Sequence, residues 1–299
     1  MATLDTIAKI AGVNKTTVSK ALRNSADINK ETAARIKRIA AECGYKIKPK
    51  KNGFNIIGVI CPEIKSDYYS QIIELLNDTF LQNGYHCIVM LSNFDTERER
   101  KIIDILAGNR VLGLVCITES DESNYYLTQV SREKNIPIIQ VAVNAAGANI
   151  DSICINDDKC ISYALRHLMD LGHKKIAFFG DRFAGARLKY FTQYAREYGI
   201  FSEKYIFIDK ELRHAECGYK LTGDLLALKD RPTAIIAEYD NIALGAIRRL
   251  AEKGYSVPED FSVIGCDNSS YTSYLPKSLT TIDGHNAHLC EIVVAILKK

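Results

Sequence analysis

The stretch Lys15-Thr16-Thr17-Val18-Ser19-Lys20 carries side chains suited to reading a nucleic acid. A lysine ammonium can donate to guanine O6 and N7, and a threonine offers its hydroxyl to a base or phosphate and its methyl to thymine. On a helix, Val18 and Leu22 would face inward, leaving Lys15, Thr16, Ser19 and Lys20 outward. On an arbitrary surface helix such residues are merely solvated, so the reading depends on what surrounds them. No comparable set serves catalysis. Gly58-Val59-Ile60-Cys61-Pro62 stands where a dinucleotide-binding glycine motif would open and lacks it. Gly180-Asp181-Arg182-Phe183-Ala184-Gly185 has the two glycines of a phosphate loop, but Ala186-Arg187 replaces the Lys-Ser/Thr pair. G-x-S-x-G and H-E-x-x-H are absent, and His285 and His288 have no third ligand close in sequence. The nine cysteines form no C-x-x-C pair and read as small buried hydrophobes in a reducing compartment. Neither an enzyme, nor a cofactor, nor a metal site is expected.

The elements that must position the basic stretch are three short helices. Leu4, Ile7, Ala8 and Ala11 share one helical face, with Thr3 placed to cap it and Gly12 to end it. Asn14 is a good cap for a second helix, and Val13 sits where a hydrophobic staple would meet Val18. Only Gly12, Val13 and Asn14 separate the two helices, a tight glycine turn of helix-turn-helix type. A third helix is predicted from Asn29, with Ile36, Ile39, Ala40 and Cys43 inward and Gly44 as its stop. In a helix-turn-helix the second helix enters the major groove, N-terminal residues first. Charge agrees: residues 1–53 hold 12 Lys/Arg against 4 Asp/Glu, and the other 246 hold 27 against 32. A basic head on a mildly acidic body points to a polyanionic partner for the head alone.

A length of 299 residues suits about two domains, and 47% apolar residues allow a full core. There is neither an apolar run of membrane-spanning length nor a secretory signal, so a cytoplasmic protein without membrane partners is expected. From Ile56 the pattern changes to short apolar runs alternating with amphipathic helices. Residues 56–61, 87–91, 112–117, 136–141, 175–180, 233–237 and 261–266 read as buried parallel strands, with helices such as 68–83 and 242–253 between them. This is a doubly wound α/β body.

The run Thr3-Leu4-Asp5-Thr6-Ile7-Ala8-Lys9-Ile10-Ala11-Gly12-Val13-Asn14-Lys15-Thr16-Thr17-Val18-Ser19-Lys20-Ala21-Leu22, with Ile28, Glu31-Thr32 and Gly44-Tyr45 behind it, resembles the DNA-binding head of the lac repressor family of bacterial transcription regulators. The body resembles the effector domain of that family, which shares its two-lobed fold with periplasmic sugar-binding proteins. Its signposts are Ile57-Gly58-Val59-Ile60, Leu171-Gly172-His173-Lys174-Lys175-Ile176-Ala177, Pro232-Thr233-Ala234, Leu244-Gly245-Ala246, Val257-Pro258-Glu259-Asp260 and Leu279-Thr280-Thr281. The resemblance implies a three-helix head over 1–45 and a two-lobed periplasmic-binding-protein-like α/β domain over 56–299. Lobe one would take 56–155 and 282–299, and lobe two 156–281.

By the same resemblance Lys15, Thr16 and Lys20 choose operator bases and Thr17 and Ser19 serve phosphate, with Thr3, Asn14 and Asn24 completing the contact set on the head. In the body, ligands of open α/β sheets bind beyond the carboxyl ends of strands. Asp267, after the 261–266 run, matches the ligand-contacting acid of the family. Asp240, after 233–237, is either a ligand contact or a helix cap. Arg187 matches the ligand-binding arginine, whose guanidinium fork suits vicinal hydroxyls. Tyr68 and Tyr69 replace an aromatic pair that stacks on a sugar, one of them being core. Asp157 and Asp158 fall at the crossover between lobes, as caps or contacts.

Two departures from the family pattern stand out, besides Ala142-Val143 in place of its Asp-Arg pair. The segment 46–55 carries Pro49 and Gly53 and lacks the hinge helix, so a basic tether is expected, with Lys46, Lys48, Lys50 and Lys51 drawing phosphates. The C-terminus also stops sooner than in relatives that cross once more between lobes. The function these features imply is an operator-binding repressor, homodimeric and controlled by a small molecule, expected to be a sugar. The alternative is a cytosolic sugar-binding sensor without a DNA role, which the basic head and the missing export signal disfavour.

Overall fold

The computed structural model describes residues 3–22, 27–45, 55–118, 123–142 and 150–298, in two compact units, Met1–Phe54 and Asn55–Lys299. The first holds α1 (Leu4–Ala11), α2 (Lys15–Leu22) and α3 (Lys30–Glu42). Local chemistry sets each end. The Thr3 hydroxyl accepts from Thr6 N–H at 3.2 Å, the Asn14 side chain from Thr17 N–H at 2.7 Å, and the Asn29 side chain from Glu31 N–H at 2.9 Å. Gly12 ends α1 at φ 65°, the left-handed region where a residue without Cβ is unstrained. Ile7, Val18, Ala21 and Ile36 are fully buried and form one small core with Ala40. The Arg35 guanidinium donates to the Ala11 carbonyl at 3.1 Å and ties the end of α1 to α3. Asn24, Val143 and residues 46–54 of the tether expected over 46–55 lie outside the described residues.

The second unit alternates strand and helix. Its first half runs β1 (Ile56–Cys61), α4 (Asp67–Gln82), β2 (His86–Leu91), α5 (Thr96–Gly108), β3 (Gly113–Ile117), α6 (Asn124–Lys134), β4 (Ile138–Val141) and β5 (Asp151–Ile153). The second half runs α7 (Asp157–Asp170), β6 (Ile176–Gly180), α8 (Gly185–Glu197), β7 (Ile206–Ile208), α9 (His214–Ala227), β8 (Ala234–Ala237), α10 (Asp240–Glu252), β9 (Ser262–Cys266) and β10 (Thr280–Ile282). Two parallel five-stranded sheets result, ordered β2-β1-β3-β4-β5 and β10-β9-β8-β6-β7. Helices cover both faces of each sheet, so central strands such as β3 and β6 are buried at every residue. The chain passes between sheets after β5 and again after β10. The second passage brings α11 (Asn286–Leu297) back to the first sheet, where Leu289, Cys290, Val293 and Val294 pack with Ile72, Leu76 and Phe80 of α4. Among the described residues no helix is long and apolar enough to cross a membrane.

Candidate functional site

On the head, α2 presents Lys15, Thr16 and Lys20 exposed and Thr17 and Ser19 half-buried. Both lysines already hold carboxylates: Lys15 Nζ is 2.8 Å from Asp5 and Lys20 Nζ is 3.0 Å from Asp27. These surface pairs are weak enough for phosphate to displace. Thr3 and Asn14 are exposed and spend their side chains on caps, the Asn14 oxygen also accepting from Thr17 Oγ1 at 2.9 Å.

In the body, a cavity of about 800 Å³ lies between the two lobes. From the first sheet come Ser66, Tyr68, Tyr69 and Ala142; from the second come the loops after β6, β7, β8 and β9, with the first turn of α7. Arg187, in the first turn of α8, is the centre of the charge network. Its Nε donates to Asp157 at 2.8 Å, its Nη1 to the Glu238 carbonyl, and its Nη2 lies 3.8 Å from Asp267. The side chain is 16% exposed and fixed from several sides. Asp267 itself sits at φ 105°, strained for a residue with a Cβ, and its N–H is held by the Ile282 carbonyl at 2.9 Å. Both tyrosines reach the cavity, in edge contact at 5.2 Å, and Tyr69 is also 3% exposed core.

Asp240 is not among the residues that line the cavity. It is fully buried, its carboxylate accepting from Ser269 N–H at 2.7 Å and from Thr281 Oγ1 at 2.6 Å. It therefore fixes the loop that presents Asp267. A Cβ on Gly265 would stand 2.0 Å from its Oδ1, so a glycine is needed there. Burial pushes the Asp240 carboxyl up to about 6, against the opposing pull of the Thr281 and Ser269 bonds. Asp157 and Asp158 both line the cavity, and the cap of α7 is Asn156 instead.

A second arginine bridges the lobes. Arg213 reaches Glu63, beyond β1, at 2.9 Å and Asp181, beyond β6, at 2.9 Å. Its guanidinium stands 4.4 Å from the ring of Phe94 and 5.0 Å from that of Phe183, which stack on each other at 4.7 Å. His214 Nε2 lies 3.1 Å from the same Glu63 oxygen. Burial would raise the Glu63 carboxyl, but the bonds and charges of His214 and Arg213 outweigh it and hold it below the usual range. A further bond between the lobes runs from Ser270 N–H to Asp67 at 2.7 Å.

Known proteins carry the same two parts. The family model for bacterial regulatory proteins of the lacI family matches residues 3–47, and that for a periplasmic binding protein-like domain matches residues 165–299. The transcriptional repressor PurR of Mannheimia succiniciproducens is 30% identical, over 99% of this chain and 91% of its own length. This chain belongs to the lacI family. The regulator DegA of Bacillus subtilis is 28% identical, over 94% of this chain and 86% of its own length. A solved lac repressor dimer, bound to operator and the anti-inducer ONPF, is 25% identical, covers 99% of this chain and 92% of that one, and superposes with a TM-score of 0.74. As a lacI-family member, the protein is a DNA-binding transcriptional regulator with an effector-binding domain, and not an enzyme.

Asp181, Arg213, Glu238 and Tyr239 join this lacI-family cleft without having been singled out from the sequence. Three of them could have been found, since Asp181 directly follows β6 and Glu238-Tyr239 directly follows β8. Arg213 had no such signal, because the strand ahead of it, β7, is three residues long.

Proposed function

We propose that the protein is a repressor that binds its operator as a homodimer and is controlled by a sugar held between the two lobes. In this reading 1–45 is the DNA-binding head, 46–55 a basic tether and 56–299 the effector domain. The observation that carries it is the Arg187 guanidinium, bracketed by Asp157 and Asp267 in a cavity that Tyr68 and Tyr69 also line. A planar fork and flanking carboxylates match vicinal hydroxyls, and aromatic faces match the C–H face of a pyranose. The lac repressor, solved as a dimer on operator DNA, supports the homodimer. Two heads then meet successive major grooves, which doubles the phosphate contacts of a small module. Lys15, Thr16 and Lys20 read bases. Thr3, Asn14, Thr17, Ser19, Asn24 and the lysines at 46, 48, 50 and 51 serve the backbone.

Ligand closing the cleft changes the angle between lobes and hence the spacing of heads. The coupling is reciprocal, so operator DNA alters ligand affinity by the same factor. Operator binding measured against salt should fall steeply, in proportion to the phosphates neutralised, while ligand binding should barely respond. Replacing Lys20 by Ala should relax base preference at one operator position. An unchanged preferred operator in that variant would show that α2 does not read bases through Lys20.

A further inference from the structure

The turn between β2 and α5 holds two consecutive residues in the left-handed region, Asn93 at φ 56° and Phe94 at φ 59°. Asparagine tolerates that region, but a bulky aromatic there is an outlier that its surroundings must hold in place. What holds Phe94 lies mostly on the other lobe. Its ring stacks on Phe183 at 4.7 Å and the Arg213 guanidinium stands over it at 4.4 Å, besides an edge contact with Tyr69 of its own lobe at 6.2 Å. Backbone bonds tie this turn to the loop that carries Glu63. Ser92 N–H donates to the Cys61 carbonyl and Asn93 N–H to the Pro62 carbonyl, both at 2.9 Å. Phe94 and Glu63 are thus two points of one prong on lobe one. Lobe two offers a socket set by its own bonds. The fully buried Asp181 carboxylate accepts from Arg213 Nε at 2.9 Å, from the Tyr239 hydroxyl at 2.8 Å and from Phe183 N–H at 2.8 Å. Arg213 Nη1 and His214 Nε2 then face one Glu63 oxygen, at 2.9 and 3.1 Å. Neither Glu63 nor Phe94 is among the residues that line the cavity, whereas Phe183, Arg213 and His214 are.

We propose that this prong and socket form a latch: Glu63 and Phe94 of lobe one lock on Arg213 and Phe183 of lobe two and bias the body toward its closed arrangement before any ligand is bound. A ligand then completes a closure that the latch has begun, by selecting the population in which the socket residues of the cavity wall are already engaged. Arg213 is a positioning residue in this scheme, acting on the ligand through the angle between lobes. The link to regulation rests on the reading of the cleft as the effector site, and the latch itself does not.

The test uses the full chain without ligand. Spin labels carried by p-acetylphenylalanine in place of the exposed Tyr125 of lobe one and Tyr163 of lobe two report the distance between lobes by pulsed electron resonance. Labelled chains are diluted with unlabelled protein so that only pairs within one chain are read. Glu63→Gln removes the charge, and Phe94→Asn removes the ring while keeping a residue that suits the left-handed turn. Each should raise the ratio of open to closed molecules by about 5- to 30-fold, the range of one contact partly withdrawn from water. The double variant should open further than either. A distance distribution that neither variant changes overturns the latch, whatever happens to the unfolding midpoint. Operator duplexes selected by the full chain from random DNA separate the two levels. Opened variants with altered operator affinity uphold both the latch and its link to regulation. Opened variants with unaltered operator affinity uphold the latch and overturn the coupling of lobe angle to the head.

Discussion

The two lobes share a topology and differ in what they bring to the cleft. Among the described lining residues every formally charged side chain lies on elements of lobe two, whereas lobe one contributes Ser66, Tyr68, Tyr69, Ala142, Cys154 and Ile155. Charges from lobe one enter only where it grips lobe two, through Glu63 on Arg213 and Asp67 on the Ser270 amide. The difference suggests a division of labour. In the proposed function, lobe two would orient the ligand through Arg187 and its carboxylates and lobe one would close over it with Tyr68 and Tyr69; Phe94 stacks on Phe183 across the gap.

Replacing Arg187 by Ala should break that division most severely. It leaves Asp157 and Asp267 without their shared partner, and loss of one member of a buried ionic set costs about 3–5 kcal/mol. Urea unfolding should register that loss and calorimetry the loss of ligand binding. A stability change under about 1 kcal/mol would mean that the charges of lobe two are solvated, not structural.

Asp240 carries the next largest effect. Its folded pKa of about 6 stands above the usual 3.8, so the folded state holds the proton more tightly. The favourable contribution is complete below about pH 4 and is lost as pH rises to about 6, a change of about 3 kcal/mol. Unfolding free energies should fall across that window, and fall less in Asp240→Asn. Burial pushes Glu99 of lobe one the same way in both proteins, so their difference isolates lobe two. Equal slopes in the two proteins would overturn the assignment.

Tyr68→Ala should have the smallest effect. The loss of one ring face corresponds to about 1 kcal/mol, or roughly fivefold in ligand affinity, with stability nearly unchanged. A loss as large as that for Arg187→Ala would erase the contrast between lobes.

The head was legible helix by helix because its signals are local: Thr3, Asn14 and Asn29 cap, and Gly12 and Gly44 adopt the positive φ that ends a helix. The central strands were legible as continuous apolar runs. Three strands, β5, β7 and β10, were missed, and all are three-residue strands at sheet edges, too short to show a period. In the cleft, Arg187, Asp267, Tyr68 and Tyr69 were placed by family pattern and the strand-end rule. The same rule put Asp240 forward, yet its carboxylate turns inward to the Ser269 N–H and Thr281 Oγ1, while Tyr239 and Asn241 on either side of it line the cavity. Residues that bind through partners distant in sequence, such as Arg213 with Glu63, leave no trace in local pattern.

The return of α11 to the first sheet bears on how the body is made. Domains generally fold as units once they leave the ribosome. Lobe one cannot do so before α11 is made, because Leu289, Cys290, Val293 and Val294 complete its core. Until they arrive, the face of α4 bearing Ile72, Leu76 and Phe80 has no cover from α11. The half of the body that is synthesised first must therefore wait for α11, and until then its nascent form presents an apolar face to chaperones and to aggregation.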